Sequence, residues 1–244
     1  MQLKVMTWNI HRCFGMDRKF RPDRVIEVIR HHDPDVLLLQ EVDRGVPRSN
    51  KLWLDHELAR DCEYEFHTWA QAHVLKVGSY GNAILSRFPI KKRKVVDLRL
   101  GWRKRRNCLY TKLQAPRFRH GLHVFNWHLG LSAMERTAQV KKVLHSGTMH
   151  SISPGSAILL AGDCNDWRNL LYHGSGIKTA GFHAWSEHGR RQHIRTYPSP
   201  APLGPLDKFF WRGSLHDEHI HASRLKLAKM ASDHLPLVAE FRMG

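Results

Sequence analysis

Cysteine is scarce in this chain, acidic residues are outnumbered, and long apolar runs are missing. The four cysteines, Cys13, Cys62, Cys108 and Cys164, lie far apart with no Cys-x-x-Cys pair. That spacing is a poor zinc signature and a sparse disulfide framework, so they read as reduced thiols. No hydrophobic stretch approaches the roughly 18 residues that a bilayer-spanning helix needs. Ahead of the alternating segment Leu3–Trp8 there is no basic region, apolar region and cleavage site in series. Nothing there marks the chain for export, and the cytoplasm is the expected compartment. Repeats, low-complexity tracts and Gly/Ser linkers are also missing, so residues 1–244 are expected to form one domain.

Positive charge, by contrast, is in excess. Lysine and arginine number 39 against 22 aspartates and glutamates, a net charge of +17. Such a balance draws polyanions, either nucleic acid or an anionic lipid surface, without saying what chemistry follows. Much of it is concentrated in Lys91-Lys92-Arg93-Lys94, Arg103-Lys104-Arg105-Arg106, Arg117 and Arg119. One reading is a charged edge strand that resists aggregation. The other is a polyanion-binding stretch that delivers substrate to the site.

Hydrophobic residues make up 42% of the chain and come in short runs. The pattern predicts strands over Leu3–Trp8, Val36–Leu39, Asn82–Leu85, Lys94–Leu98, Cys108–Leu113, His123–Trp127, Ala157–Ala161, Phe209–Trp211 and Leu237–Phe241. Pro22 followed by Val25, Ile26, Val28 and Ile29 predicts a helix start, and Ser132 with Glu135 resembles a capping box opening a helix to Leu144. Strands and helices mixed along the whole chain imply an α/β or α+β layered fold. Trp8, Trp127, Trp167 and Trp211 are expected to pack in the core or at an interface where layers meet rather than to stack on bases.

Polar residues fall at the ends of these strands. Asn9 ends the first, Glu41 follows Val36–Leu39, His128 follows His123–Trp127, and Asp163 and Asn165 follow Ala157–Ala161. Asp207 and the pair Asp233-His234 precede their strands instead. If those last strands run antiparallel to the others, all of these residues share one sheet rim. Oxygen donors without thiolates favour a hard cation, Mg²⁺ or Mn²⁺, over zinc. A hard cation beside imidazoles suits phosphoester hydrolysis. Taken singly, Asn9 and Asn165 would pass as turn or cap residues, and Glu41 and Asp163 as solvated strand ends. Most of the 19 histidines are expected at the surface, with His128 and His234 at the site and His11 the one further candidate for it.

The segments Thr7-Trp8-Asn9-Ile10-His11, Leu39-Gln40-Glu41-Val42, Tyr80-Gly81-Asn82-Ala83-Ile84-Leu85-Ser86, Asn126-Trp127-His128-Leu129-Gly130, Ala161-Gly162-Asp163-Cys164-Asn165-Asp166 and Ser232-Asp233-His234-Leu235-Pro236 together resemble the endonuclease/exonuclease/phosphatase superfamily, in its order and across nearly the whole chain. The resemblance implies a four-layer α/β/β/α sandwich of two mixed sheets flanked by helices. It implies metal binding by Asn9, Glu41 and Asp233, with Glu41 the principal ligand. Asp163 would orient or deprotonate the attacking water, Asn165 would hold the phosphate and nucleophile, and His128 would stabilise developing charge. Asp207 and His234 look like the family's paired Asp and His, and Arg106 like an arginine that reaches the phosphate. His11 stands where some family nucleases carry Asp, Lys208 where an aromatic is common, and Cys164 where Phe or Leu is usual. By strand alternation, Cys164 should point into the core.

The activity so implied is a Mg²⁺- or Mn²⁺-dependent phosphodiesterase cleaving a polyanion by in-line water attack. With no long apolar anchor loop or amphipathic basic helix evident, nucleic acid is the favoured substrate over phospholipid. The alternatives are a phospholipid or inositol-phosphate phosphoesterase at an anionic membrane, and an inactive polyanion-binding module.

Overall fold

The strand patterns are realised in a computed structural model that describes residues 2–185 and 193–243. Strands β1 (Gln2–Asn9), β2 (Val36–Arg44), β3 (Phe66–Val74), β4 (Ser79–Ser86), β11 (Leu215–Ala222) and β12 (Leu237–Met243) form one sheet, ordered β11-β12-β1-β2-β4-β3. Strands β5 (Ile90–Asp97), β6 (Asn107–Leu113), β7 (Leu122–His128), β8 (Ala157–Asp163), β9 (His183–Ala184) and β10 (Asp207–Arg212) form the other, ordered β5-β6-β7-β8-β10-β9. Both sheets are mixed. Only β1 with β2, and β7 with β8, run parallel among the pairings of the described residues.

Alternation along the central strands sorts side chains into three apolar layers. Val36 and Leu38 of β2 face Leu109, Val124, Leu159 and Phe209 between the sheets. Their neighbours Leu37 and Leu39 turn outward, onto Val25, Val28 and Ile29 of α1 (Pro22–His32) and Leu54 and Leu58 of α2 (Leu54–Asp61). The outer face of the second sheet packs Trp127, Phe125 and Leu160 against Val140 and Val143 of α3 (Ala133–Leu144) and Met149 of α4 (Gly147–His150). Two short helices, α5 (Leu171–Gly174) and α6 (Lys226–Ala231), complete the two outer layers. The fold is the α/β/β/α sandwich that the resemblance implied.

Helix starts follow the expected signals. Pro22 occupies the first turn of α1, where its missing N–H costs no hydrogen bond. Ser132 Oγ accepts from the Glu135 N–H at 3.2 Å, a cap that contributes about 1 kcal/mol. Glu135 does not reach back in a full box; its carboxylate accepts from Gln139 and Arg103.

Three differences from the sequence reading have physical causes. Strands β3 and β11 went unpredicted because both are sheet edges rich in histidine and polar residues, with no continuous buried face. Trp167 is not core: it is 54% exposed, on the connection after β8, edge-on to Tyr197. Trp8, Trp127 and Trp211 are buried. The basic stretch is divided between the two ends of the sandwich. Its Lys91 and Arg119 line a recess at the end away from Asn107, whereas Arg103–Arg106 lead into Asn107.

Two buried amides cross the interface between the sheets. Gln40 Nε2 donates to Asn126 Oδ1 at 2.7 Å, and Asn126 Nδ2 donates to the Leu39 and Ala83 carbonyls at 2.9 and 2.8 Å. Just beyond Gln40 the β2–β4 ladder slips between Leu39 and Val42, and Glu41 adopts φ 57°. Such a bulge re-aims one side chain at a sheet rim.

Candidate active site

Strand direction brings the polar strand ends together. β10 runs antiparallel to β8 with Asp207 opposite Asp163, and β7 runs parallel to β8 with His128 level with Asp163. His128, Asp163 and Asp207 therefore stand in one row across three adjacent strands. From the other sheet, β12 runs antiparallel to β1, which returns Asp233 and His234 to the end where Asn9 lies. The rim inferred from strand polarity is thus real, and it is a seam between two sheets.

Asp163 is the centre of this seam. Its Oδ2 accepts from Asn9 Nδ2 at 3.1 Å and lies 3.3 Å from His128 Nε2 and 3.8 Å from His234 Nε2. The other oxygen, Oδ1, accepts from the Asn165 N–H at 2.9 Å. Burial raises the Asp163 carboxyl above the ordinary carboxylate range, against the lowering pull of His234. A carboxylate so placed is a better proton acceptor near neutrality than a solvated one.

His234 is held from its other side. Its Nδ1 is 2.9 Å from Asp207 Oδ2, and the same oxygen accepts from Thr196 Oγ1 at 2.6 Å. Burial alone would lower the imidazole, but Asp207 and Asp163 together outweigh it and raise its affinity for the proton. His128 goes the other way, lowered by burial and by Arg106, so it stands neutral. The two imidazoles therefore hold different charges a short distance apart.

Glu41, Arg106 and His128 line one narrow recess with Asn82 and Asn107. Arg106 is 6% exposed, its Nε has no hydrogen-bond partner, and no carboxylate pairs with it among the described residues. Glu41 projects from its bulge with Arg12 Nε 3.3 Å away and no hydrogen bond to its carboxylate among the described residues. Asp233 meets His11 at 4.0 Å and Ser232 at 3.3 Å, and Ser232 Oγ also donates to the Asn9 carbonyl. Asn165 donates its side-chain amide to the Leu129 carbonyl at 2.9 Å, leaving its Oδ1 for other work.

The residues expected to bind metal, Glu41, Asn9 and Asp233, offer only oxygen donors, which suit a hard cation, and Asn9 Oδ1 also accepts from the His11 N–H at 3.1 Å. Asp163, Asp207 and His234 also cluster, with ligand atoms within 4.8 Å of one another. An imidazolium has no lone pair to offer a metal, so we read this second group as a proton-holding array. Cys164 lies in the core with Trp127 Nε1 3.3 Å from its sulfur, and burial pushes its thiol up, out of reach of ionisation.

The structure adds residues that the sequence did not flag. Thr196 sits in irregular chain before β10, where no periodicity marks it. Tyr197 places its ring 4.9 Å from that of His234. Arg12, in a left-handed turn at φ 60°, matters only through Glu41, a partner distant in sequence.

Fold and rim together define a phosphoester hydrolase of the sandwich type. The chain belongs to the endonuclease/exonuclease/phosphatase family, whose sequence profile matches residues 6–234. It is similar to YbhP, an uncharacterized protein of Escherichia coli K12, at 30% identity over 98% of this chain and 96% of that one. Among solved structures, an endonuclease/exonuclease/phosphatase from Beutenbergia cavernae superposes with TM-score 0.80 at 24% identity, over 100% of this chain and 72% of that one. TDP2 of D. rerio, complexed with a single strand DNA product, superposes with TM-score 0.76 at 18% identity, over 99% of each chain. No helix among the described residues is long and apolar enough to cross a membrane.

Proposed function

We propose that this protein is a divalent-metal-dependent phosphodiesterase acting on a polyanionic substrate. Arg106 carries the reading. A buried guanidinium without a carboxylate, lining a recess with Glu41 and His128, leaves a charge that an anionic oxygen would satisfy. Phosphate is the anion that also matches an oxygen-only cation site beside it.

Glu41, with Asn9 and Asp233, would hold Mg²⁺ or Mn²⁺. When bound, the ion neutralises charge on the phosphate and makes an adjacent water more acidic. The chain supplies the rest. Asp163 takes a proton from the attacking water, and Asn9 and the Asn165 N–H fix its carboxylate in place. As the new O–P bond forms, the opposite P–O bond breaks and Arg106 and neutral His128 donate to the phosphoryl oxygens. His234, kept protonated by Asp207, stabilises that charge and gives its proton to the departing oxygen. The products are a phosphomonoester and an alcohol.

Net charge alone suits a nucleic-acid backbone and an anionic headgroup alike. A panel of single- and double-stranded DNA, RNA, phospholipids and a chromogenic phosphodiester, each with Mg²⁺ or Mn²⁺, tests the reading. Hydrolysis of at least one member, lost in Arg106→Ala and Asp163→Asn, supports it. Activity that survives both substitutions overturns it.

A further inference from the structure

Twelve large hydrophobic side chains are exposed among the described residues. Eleven lie on the connections at the catalytic end of the sandwich, in the β3–β4 hairpin, or in the helical turns beside them (Met134 in the first turn of α3, Met230 in the last of α6); the exception is Val95 on edge strand β5. The connections at the opposite end, 33–35, 62–65, 87–89, 114–121, 145–156 and 213–214, carry none. Scattered exposed apolar residues need no explanation, but segregation to one pole does.

The most exposed of them stand on neighbouring connections that form a collar at the crevice. Trp102 is 93% exposed, Met134 83% and Leu131 75%. Their connections are tied together: Arg103 Nη1 donates to Glu135 at 3.4 Å and Lys142 Nζ to the Arg99 carbonyl at 2.7 Å. Arg136 then links Leu131, whose carbonyl it bonds, to Asp166, which caps the Leu170 and Leu171 N–H groups beside exposed Trp167 and Leu170. Trp167 lies over Gly204, next to exposed Leu203, and against Tyr197, whose ring meets His234. The collar therefore ends at the catalytic imidazole.

Charge accompanies the apolar side chains. The connection 98–106 holds Arg99, Arg103, Lys104, Arg105 and Arg106 and no acidic residue. Cations beside Trp, Leu and Met at loop tips match the boundary between headgroups and acyl chains of an anionic bilayer. Nucleic acid fits less well, because leucine and methionine offer no flat face for a base to stack on.

We propose that the catalytic end of the sandwich docks on an anionic lipid surface through Trp102, Leu131, Met134, Trp167, Leu170 and Leu203, presenting the crevice to phosphodiesters at headgroup depth. The substrate class rests on the phosphodiesterase reading; the docking does not, and the two fail separately.

Binding is measured by flotation with vesicles of phosphatidylcholine alone and of phosphatidylcholine with phosphatidylglycerol, using full-length Asp163→Asn protein so that hydrolysis plays no part. The expected result is binding to the mixed vesicles that falls at least ~tenfold in Trp102→Ser/Leu131→Ser/Met134→Ser and is unchanged in Val95→Ser. With Asp163 restored, the triple variant should hydrolyse a soluble chromogenic phosphodiester as the parent does, which shows that it folds. No vesicle binding by the parent, or equal loss in Val95→Ser, overturns the docking. Capture of a single-stranded oligonucleotide that is lost in the triple variant, with vesicles ignored, overturns it in favour of nucleic acid. If vesicles bind as expected but no phosphodiester is cleaved, the docking stands and the catalytic reading falls.

Discussion

Replacing Asp207 with Asn is the sharpest test of how the crevice works. Asp207 is 2% exposed, and one of its oxygens serves both Thr196 and His234. The substitution keeps the shape and removes the charge that most favours a protonated His234. Buried and without that partner, the imidazole holds its proton less tightly, with Asp163 left to oppose burial, and answers the charge developing on phosphate less well. Groups of this kind typically contribute about 10²–10⁴ in rate, and a single charge-stabilising donor about 2.7–4 kcal/mol. We expect kcat on a chromogenic phosphodiester to fall at least ~hundredfold with KM within about threefold. His234→Ala should fall as far. Because the pair acts as one unit, the double variant should be no worse than the lower single variant, within about threefold. Thr196→Val, which removes a supporting hydrogen bond and no charge, should fall between the parent and Asp207→Asn. Near-normal turnover in Asp207→Asn, or losses that multiply in the double variant, would refute the reasoning, provided that thermal melts show each variant folded.

Asp163→Asn should lower kcat at least ~hundredfold, and the acid limb of the parent's pH–rate profile should lie above the ordinary carboxylate range because burial raises Asp163; a limb at or below that range contradicts its assignment as base. Chelation should abolish turnover without unfolding the chain, and Glu41→Gln should raise the Mn²⁺ concentration for half-maximal rate about tenfold or more; undiminished hydrolysis after exhaustive chelation sinks the metal requirement. Lys104→Ser/Arg105→Ser should raise KM and flatten its salt dependence with kcat unchanged, more than Lys91→Ser/Lys92→Ser does, because only the first pair belongs to the connection at the crevice; the reverse order in a salt series would restore the edge run as the delivery path. His32 and His123 are lowered to about 4, chiefly by burial, so below about pH 6.5 the unfolded chain takes up protons that the fold refuses. Stability should therefore fall as pH drops from about 6.5 towards 4, and urea midpoints that stay flat or rise across that window would contradict it.

The central strands were legible because they bury both faces: the runs of β2 and β8 leave few alternatives once neighbouring segments have the same character. The strand-end polar residues followed from them, since a known direction places Asn9, Glu41, His128 and Asp163 at one pole. What escaped was whatever local pattern does not encode. Edges β3 and β11 carry histidines and other polar residues because one side is left to solvent. Thr196 and Arg12 matter only through partners distant in sequence or in an unusual turn. Trp167 looked like core because size favours burial, yet it stands on a connection above Gly204. The apolar collar was invisible for a related reason: each connection contributes only a few exposed residues, so no stretch of sequence is amphipathic by itself.

The amide pair Gln40–Asn126 carries a consequence for how this crevice ages and adapts. Asn9 belongs to one sheet and Asp163 to the other, so the gap between them is a tolerance of assembly and no single strand can correct it. Sheet faces joined by aliphatic contacts alone can slide with little change in buried area. Directional amide bonds work as dowels, fixing alignment where hydrophobic contact fixes only closeness. The apolar core can then drift through many interchangeable sequences while the working gap keeps its setting, and damage confined to the dowels would leave a protein that folds yet no longer lines up its two halves.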